Sequence, residues 1–459
     1  MAFTPPAALG AFTFDAPYGT RGIRLTNSSN ALQGVQPRLY PYWSSINNHA
    51  GRPDLFVFLG RLGQTPLILV VNKSSGQVRT LRELPWVSTG EGNYWSDTDP
   101  DRLYFTDSNR LNYFVATGDK WGGYEVFSLL AKHGNNLWQA HSSGDDQVHS
   151  ATVRRTTTSG PYEVLGCVVF TQGRQTFFPR RGEYDECQID KSGRWLVIQE
   201  DHGNRIVHLA DGTSRTITNA EGALSHIDCG DGFMCGENDQ GAMWTMDRLD
   251  LATLTRTERY RGSGPWRNGM GHVSIRGNTA LLSANADNEL LTVDLTTGGA
   301  RPLAPGMIDG SDYDHQLRAN LDPTGEYACY VAHVDGRFDA FLVQLPAATP
   351  PIVVRPPDPK PKPEPGGSMK PFPYFTSAAK VELEHDSGFT SAGAPGTFDG
   401  RPAHILPTVD TLPEGNGAWV ALTWANGKTL RQHGRLYLKQ EPDRATFAVD
   451  MTEEPQGFR

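Results

Sequence analysis

The chain of 459 residues is 38% hydrophobic and 20% charged, contains 49 Gly and 32 Pro, and carries a net charge of −9 with pI ≈ 5.8. That balance excludes a nucleic-acid partner, because neutralising phosphates needs a basic face. It also favours many turns over long helices, and the length fits one large all-β domain followed by a small one.

The start, MAFTPPAALGAFTFDAP, has no basic segment followed by an apolar one. The expectation is therefore no secretory signal, and a cytoplasmic or phage-virion protein. No apolar run reaches membrane-spanning length.

From residue 52 onward one grammar recurs: turn, apolar strand, turn, strand. It is seen in 52–81 (RPDLFVFLGRLGQTPLILVVNKSSGQVRTL), 99–118 (DPDRLYFTDSNRLNYFVATG) and 144–170 (GDDQVHSATVRRTTTSGPYEVLGCVVF). It continues in 190–218, 230–260, 276–303 and 315–346. In the last, Asp322-Pro323-Thr324-Gly325 makes a turn, because Pro presets φ and Gly tolerates positive φ. Tyr327 to Val331 then reads as a buried strand, Asp335-Gly336 as a second turn, and Phe338 to Leu345 as the next strand.

Seven copies at a period of about 40–45 residues imply four-stranded blades stacked around an axis, since a lone sheet cannot bury both faces. The fold class is thus all-β: a seven-bladed β-propeller over 1–346, with the N-terminal segment supplying a closing strand. Cys167, Cys187, Cys229, Cys235 and Cys329 mostly sit in apolar runs and are expected to be buried free thiols. Residues 347–373 form a Pro-rich linker, extended and semi-rigid. Residues 374–459 alternate over five or six short strands, which suggests a small β-sandwich. There Trp419, Trp424, Tyr437 and Phe447 are candidates for stacking on sugar rings, or core residues.

In a propeller the innermost strand of each blade precedes the first turn and lines the channel. Counting five residues back from that turn gives Asn320, His272, Gln188, Asp97 and His226. All are polar, which predicts a polar ring at one mouth of the channel. His315 lies just ahead of this position, and His141 and His149 flank the equivalent turn of another copy. Imidazoles and an amide on one axis suit a divalent metal, Mn among them, while hydrogen bonding around a wet channel needs the same residue types. Asp309, Asp312 and Asp314 supply carboxylates for a hard cation such as Ca²⁺.

The stretches SHIDCG (225–230), GHVSI (271–275) and HQLRANLDPTGEYACYVAHVDGRFDAFLVQLP resemble blade starts in propellers of the oligogalacturonate lyase type. They also resemble related bacterial and phage propellers of unassigned function. The resemblance implies a divalent metal held by His226, His272, His315 and Gln188, and β-elimination of a uronic-acid polysaccharide. Gln316 departs from the family pattern, which has Pro there, and the region beyond the linker is absent from the enzymes. Base candidates are His141, His149 and His202; substrate-binding candidates are Arg318, Asn320 and Asp97. The expected partner is a polysaccharide or host glycan. The alternative is a non-catalytic virion or tail component, or a scaffold binding carbohydrate or protein and contacting neighbouring virion proteins.

Overall fold

The computed structural model describes residues 3–346, apart from 37–39, 86, 88–90, 119–122, 158–159, 239–243, 263–269, 286 and 309–314, and six strands between 380 and 450. Contacts divide the chain into two units, Met1–Pro357 and Asp358–Arg459.

Unit 1 is a seven-bladed β-propeller. Six blades are antiparallel four-stranded sheets covering 46–83, 94–128, 136–179, 184–217, 225–261 and 270–305, numbered 1 to 6 here. Blade 7 combines Ala319–Leu321, Tyr327–Val334 and Arg337–Gln344 with Arg21–Arg24 and then Gly10–Thr13. The N-terminal segment therefore contributes two closing strands, one more than the repeat pattern implied. Each true blade begins a few residues before its sequence copy, because the innermost strand precedes the turn that makes the copy recognisable.

Apolar residues from facing sheets form the core between blades. Ile23, Leu25, Ile46, Leu55, Leu69 and Leu342 pack blade 7 against blade 1. Closure of the ring is reinforced by buried Asp339, which accepts from Arg24 Nη2 at 2.5 Å and Arg337 Nη2 at 3.0 Å. All five cysteines are buried and free, as their apolar settings required. A 3-10 turn at Asn219–Glu221 is the helical element with assigned bounds among the described residues. No helix among them is long and apolar enough to cross a membrane.

In unit 2, Lys380–His385, Thr390–Phe398, Arg401–Ile405, Gly417–Thr423, Thr429–Glu441 and Arg444–Asp450 form one antiparallel sheet. The Pro-rich linker, Trp424, the other aromatic side chains of this unit and any second layer of a sandwich lie outside the described residues.

Candidate functional site at the channel mouth

The ladder of each innermost hairpin fixes the level of every inner-strand residue along the axis. The hairpin closes at Ser143 N–H to Val148, Asp190 to Trp195, Gly230 to Phe233 and Asp322 to Tyr327. In blade 6 it closes at the Arg276–Thr279 pair. The second ladder pair inward from each turn contains His141, Gln188, Asp228, Ser274 and Asn320. Two residues earlier, roughly 7 Å nearer the mouth at about 3.3 Å per residue, come Gln139, Glu186, His226, His272 and Arg318. Asp97 lies in the turn of blade 2, past Ser96 N–H to the Arg102 carbonyl.

The single polar ring read from the sequence is therefore spread over three levels. The count began at Gly193 and Gly325 inside four-residue turns, but at Gly277 and Asp231 inside two-residue turns. Hairpin length, which glycine position does not reveal, moved the frame by two residues.

The deeper level is an inter-blade belt. Gln188 Nε2 donates to the Ile227 carbonyl at 2.9 Å and to Glu186 Oε1 at 2.9 Å. Asp228 accepts Ile275 N–H at 2.6 Å, and Ser274 Oγ accepts Leu321 N–H at 3.1 Å. Asn320 Oδ1 accepts both the N–H and the hydroxyl of Ser45. Polar residues belong here because inner strands of adjacent blades leave backbone groups that need partners. Gln188 and Asn320 are thus engaged in stitching blades, both fully buried.

At the far end, Asp97 binds Lys191 Nζ at 2.7 Å and Arg276 Nη2 at 3.4 Å. Burial pushes its carboxyl up, but Lys191 and Arg276 outweigh this and hold it below the ordinary value. Between the two ends the channel keeps a cavity of ≈ 10 Å³, about one water. A space of that size is too small for a sugar ring.

The mouth is built by strained backbone. In blades 3, 4, 5 and 6 the ladder breaks between Trp138 and His141, Tyr184 and Glu186, Ser225 and Asp228, and Met270 and Val273. Such bulges re-aim side chains. Gln139 and His226 sit in the left-handed region, at φ 49° and 46°. His226, 41% exposed, places its ring centroid 4.5 Å from that of His272. His226 Nδ1 lies 3.4 Å from Oε2 of buried Glu237. His272 is fully buried and neither ring nitrogen has a hydrogen-bond partner among the described residues. Burial first, then His226 and Arg318, hold its pKa well below the ordinary range.

A segment absent from the sequence reading completes the site. Tyr40, Tyr42 and Trp43 cross the mouth ahead of blade 1. Trp43 Nε1 donates to the Ala140 carbonyl at 2.8 Å, and Ser274 Oγ donates to the Pro41 carbonyl at 3.0 Å. The Tyr40 ring lies 5.3 Å from His272 and 5.3 Å from the Arg318 guanidinium. Three aromatics within YPYW, just before the first repeat, were the available signal. Glu186 was also missed; burial, then Asp185, raises its pKa well above the carboxylate range.

The remaining candidates are dispersed. His141 is buried against Trp43, ring centroids 5.1 Å apart, with Nε2 unpartnered among the described residues and its pKa lowered to about 3 by burial. His149 lies in the second strand of blade 3, bonded to Ser142 and packed on Tyr104, with its pKa lowered to about 4 by burial. His202 is on an exposed hairpin 3.7 Å from Glu183, at the rim of a 350 Å³ cleft shared by Asp185, Asp201 and Ser225. Arg318 is 1% exposed, beneath Tyr40. His315 packs on His333 and Phe338, and Asp309, Asp312 and Asp314 lie outside the described residues.

A metal centre needs Gln188, His226, His272 and His315 on one ion. Gln188 is held a level deeper, and the ring contacts of His315 are at the outer hairpin of blade 7. No group of three or more His, Cys, Asp or Glu side chains among the described residues is arranged to hold a metal. The residues present do not fit that group.

No family model and no curated protein matches this chain. Among solved structures, an oligogalacturonate lyase in complex with manganese superposes with TM-score 0.56 at 13% identity, over 75% of this chain and 98% of that one. The oligogalacturonate lyase of Vibrio parahaemolyticus gives 0.55 at 10% identity, over 74% and 97%. In fold, unit 1 is similar to the propellers of these two lyases. At such identity the likeness is one of fold alone, so function has to be argued from the mouth.

Proposed function

We propose that the protein is glycan-directed and that the mouth binds an acidic saccharide, with His226 as the base of a β-elimination. The observation that carries this is the His226–His272–Glu237 arrangement: a half-exposed imidazole on a bulged strand, backed by a carboxylate and packed at a tilt against a buried neutral imidazole. In the reaction the proton on C5 of the uronate passes to His226 Nε2. The C5–H electron pair forms the C4–C5 double bond, the C4–O4 bond breaks, and the departing oxygen takes a proton. Glu237 orients the ring and compensates the charge it gains. The lyase neighbours support the substrate class by analogy of fold.

Incubation with oligogalacturonides, glucuronides and mannuronates tests the reading through the ultraviolet absorbance of an unsaturated product. Absorbance that His226→Ala removes supports it; none from any uronide refutes catalysis. The second reading, a non-catalytic glycan-binding module of a virion or scaffold, is favoured by the cleft beside Ser225. Glu183, Asp185 and Asp201 line it and repel a uronate chain laid across blade 4.

A further inference from the structure

Arg318, the guanidinium expected to grip a carboxylate, is buried. Another arginine is set out on the same face. Arg154, on the second strand of blade 3, lies between two aromatic rings, with its guanidinium carbon 4.3 Å from the centroid of Trp138 and 4.2 Å from that of Tyr162. Tyr162 is 49% exposed, and Trp138 and Arg154 are half-buried. Trp138 directly precedes Gln139 of the mouth level.

Both rings pack against the guanidinium, and Nε donates to Asn136 Oδ1 at 2.9 Å. Its orientation is therefore fixed, and its Nη1 and Nη2 have no hydrogen-bond partner among the described residues. The backbone is shaped for this: the register shifts between Val153 and Arg154, opposite Gly166. Gly166 has φ 139°, and a Cβ there would come 2.2 Å from the Phe178 carbonyl oxygen. A bulge that only glycine permits turns Arg154 where it stands.

We propose that Arg154, with the exposed face of Tyr162, forms a subsite for a carboxylate-bearing sugar of the saccharide bound at the mouth. This rests on the mouth reading above. A guanidinium packed by two rings and held at Nε presents two parallel N–H donors, which match a carboxylate bidentately. The tyrosine ring offers an apolar face to the C–H surface of the same pyranose. The acidic cleft on blade 4 disfavours extension of a uronate chain across that blade.

The test is calorimetric titration of the full chain bearing His226→Ala, which separates binding from turnover. The probes are hexameric oligogalacturonide, glucuronide and mannuronate, each beside its methyl ester. Adding Arg154→Gln is expected to weaken the free acid by about tenfold or more, the scale of a charged bidentate contact. It should leave the ester unchanged, and Arg154→Lys should restore only part of the loss. Tyr162→Ala should weaken acid and ester alike. If Arg154→Gln binds the acids as tightly as its parent, the subsite is overturned while the mouth reading stands. If no uronide binds in any form, both fall. Equal competition by an acidic peptide overturns the saccharide assignment.

Discussion

His226 stands on left-handed backbone with its ring centroid 4.5 Å from that of His272, whose two ring nitrogens have no partner among the described residues. Positive φ at a non-glycine residue is costly and persists only where the surroundings impose it. A neutral imidazole keeps one N–H donor, so burial without a partner costs more. Both features occur at one level of one mouth.

The first prediction concerns Glu237. If it orients His226, Glu237→Gln keeps shape but removes the carboxylate beside Nδ1. Uronide turnover should fall by roughly ten- to a hundredfold through kcat, with KM unchanged. A KM that rises while kcat holds would make Glu237 a binding residue and not one that orients the base.

Gln188 is expected to matter for stability. Gln188→Ala leaves the Ile227 carbonyl without its donor inside the belt, at a cost of about 1–3 kcal/mol. Urea unfolding of unit 1 should show this as a lower midpoint with unchanged slope. Saccharide binding at the mouth should persist once the variant is folded. Loss of binding without loss of stability would return Gln188 to the ligand set.

Asp97→Asn should destabilise by about 1–3 kcal/mol, because buried Arg276 and half-buried Lys191 lose their counter-charge. The sign with pH follows from its lowered carboxyl pKa. The contribution is present above the unfolded value near 3.8 and is lost as pH falls through the folded one. The native protein and Asp97→Asn should therefore converge in stability in strong acid. Since Asp97 sits in the turn at the opposite end of the channel, uronide binding should not change.

His141 also weakens the native protein as pH falls. Burial lowers its folded pKa to about 3, below the ordinary histidine value near 6.5, so the unfolded chain binds a proton that the folded one refuses. Each pH unit between those values should cost about 1.4 kcal/mol. His141→Phe removes that proton and strands no hydrogen bond at Nε2. The variant should gain on the native protein by about 2–3 kcal/mol between pH 6.5 and 4.5, read from urea midpoints at both. Parallel midpoints would mean His141 is protonated in the fold.

The sequence by itself determined the propeller. Apolar alternation and recurrent turns such as Asp322–Gly325 are local, and four-stranded units at a fixed period bury their faces only by stacking around an axis. It also marked the inner strands as polar and named His226 and His272. The tertiary structure alone decided what those polar residues do. Levels along the channel depend on hairpin length, so Gln188 and Asn320 fell into the belt and Asp97 into the opposite end. Burial depends on what crosses the mouth, so the Tyr40–Trp43 segment covered Arg318 and His141, though it lies far from them in the chain. Arg154 gave no signal, because only the fold brings Trp138, Asn136 and Tyr162 from neighbouring strands against its guanidinium.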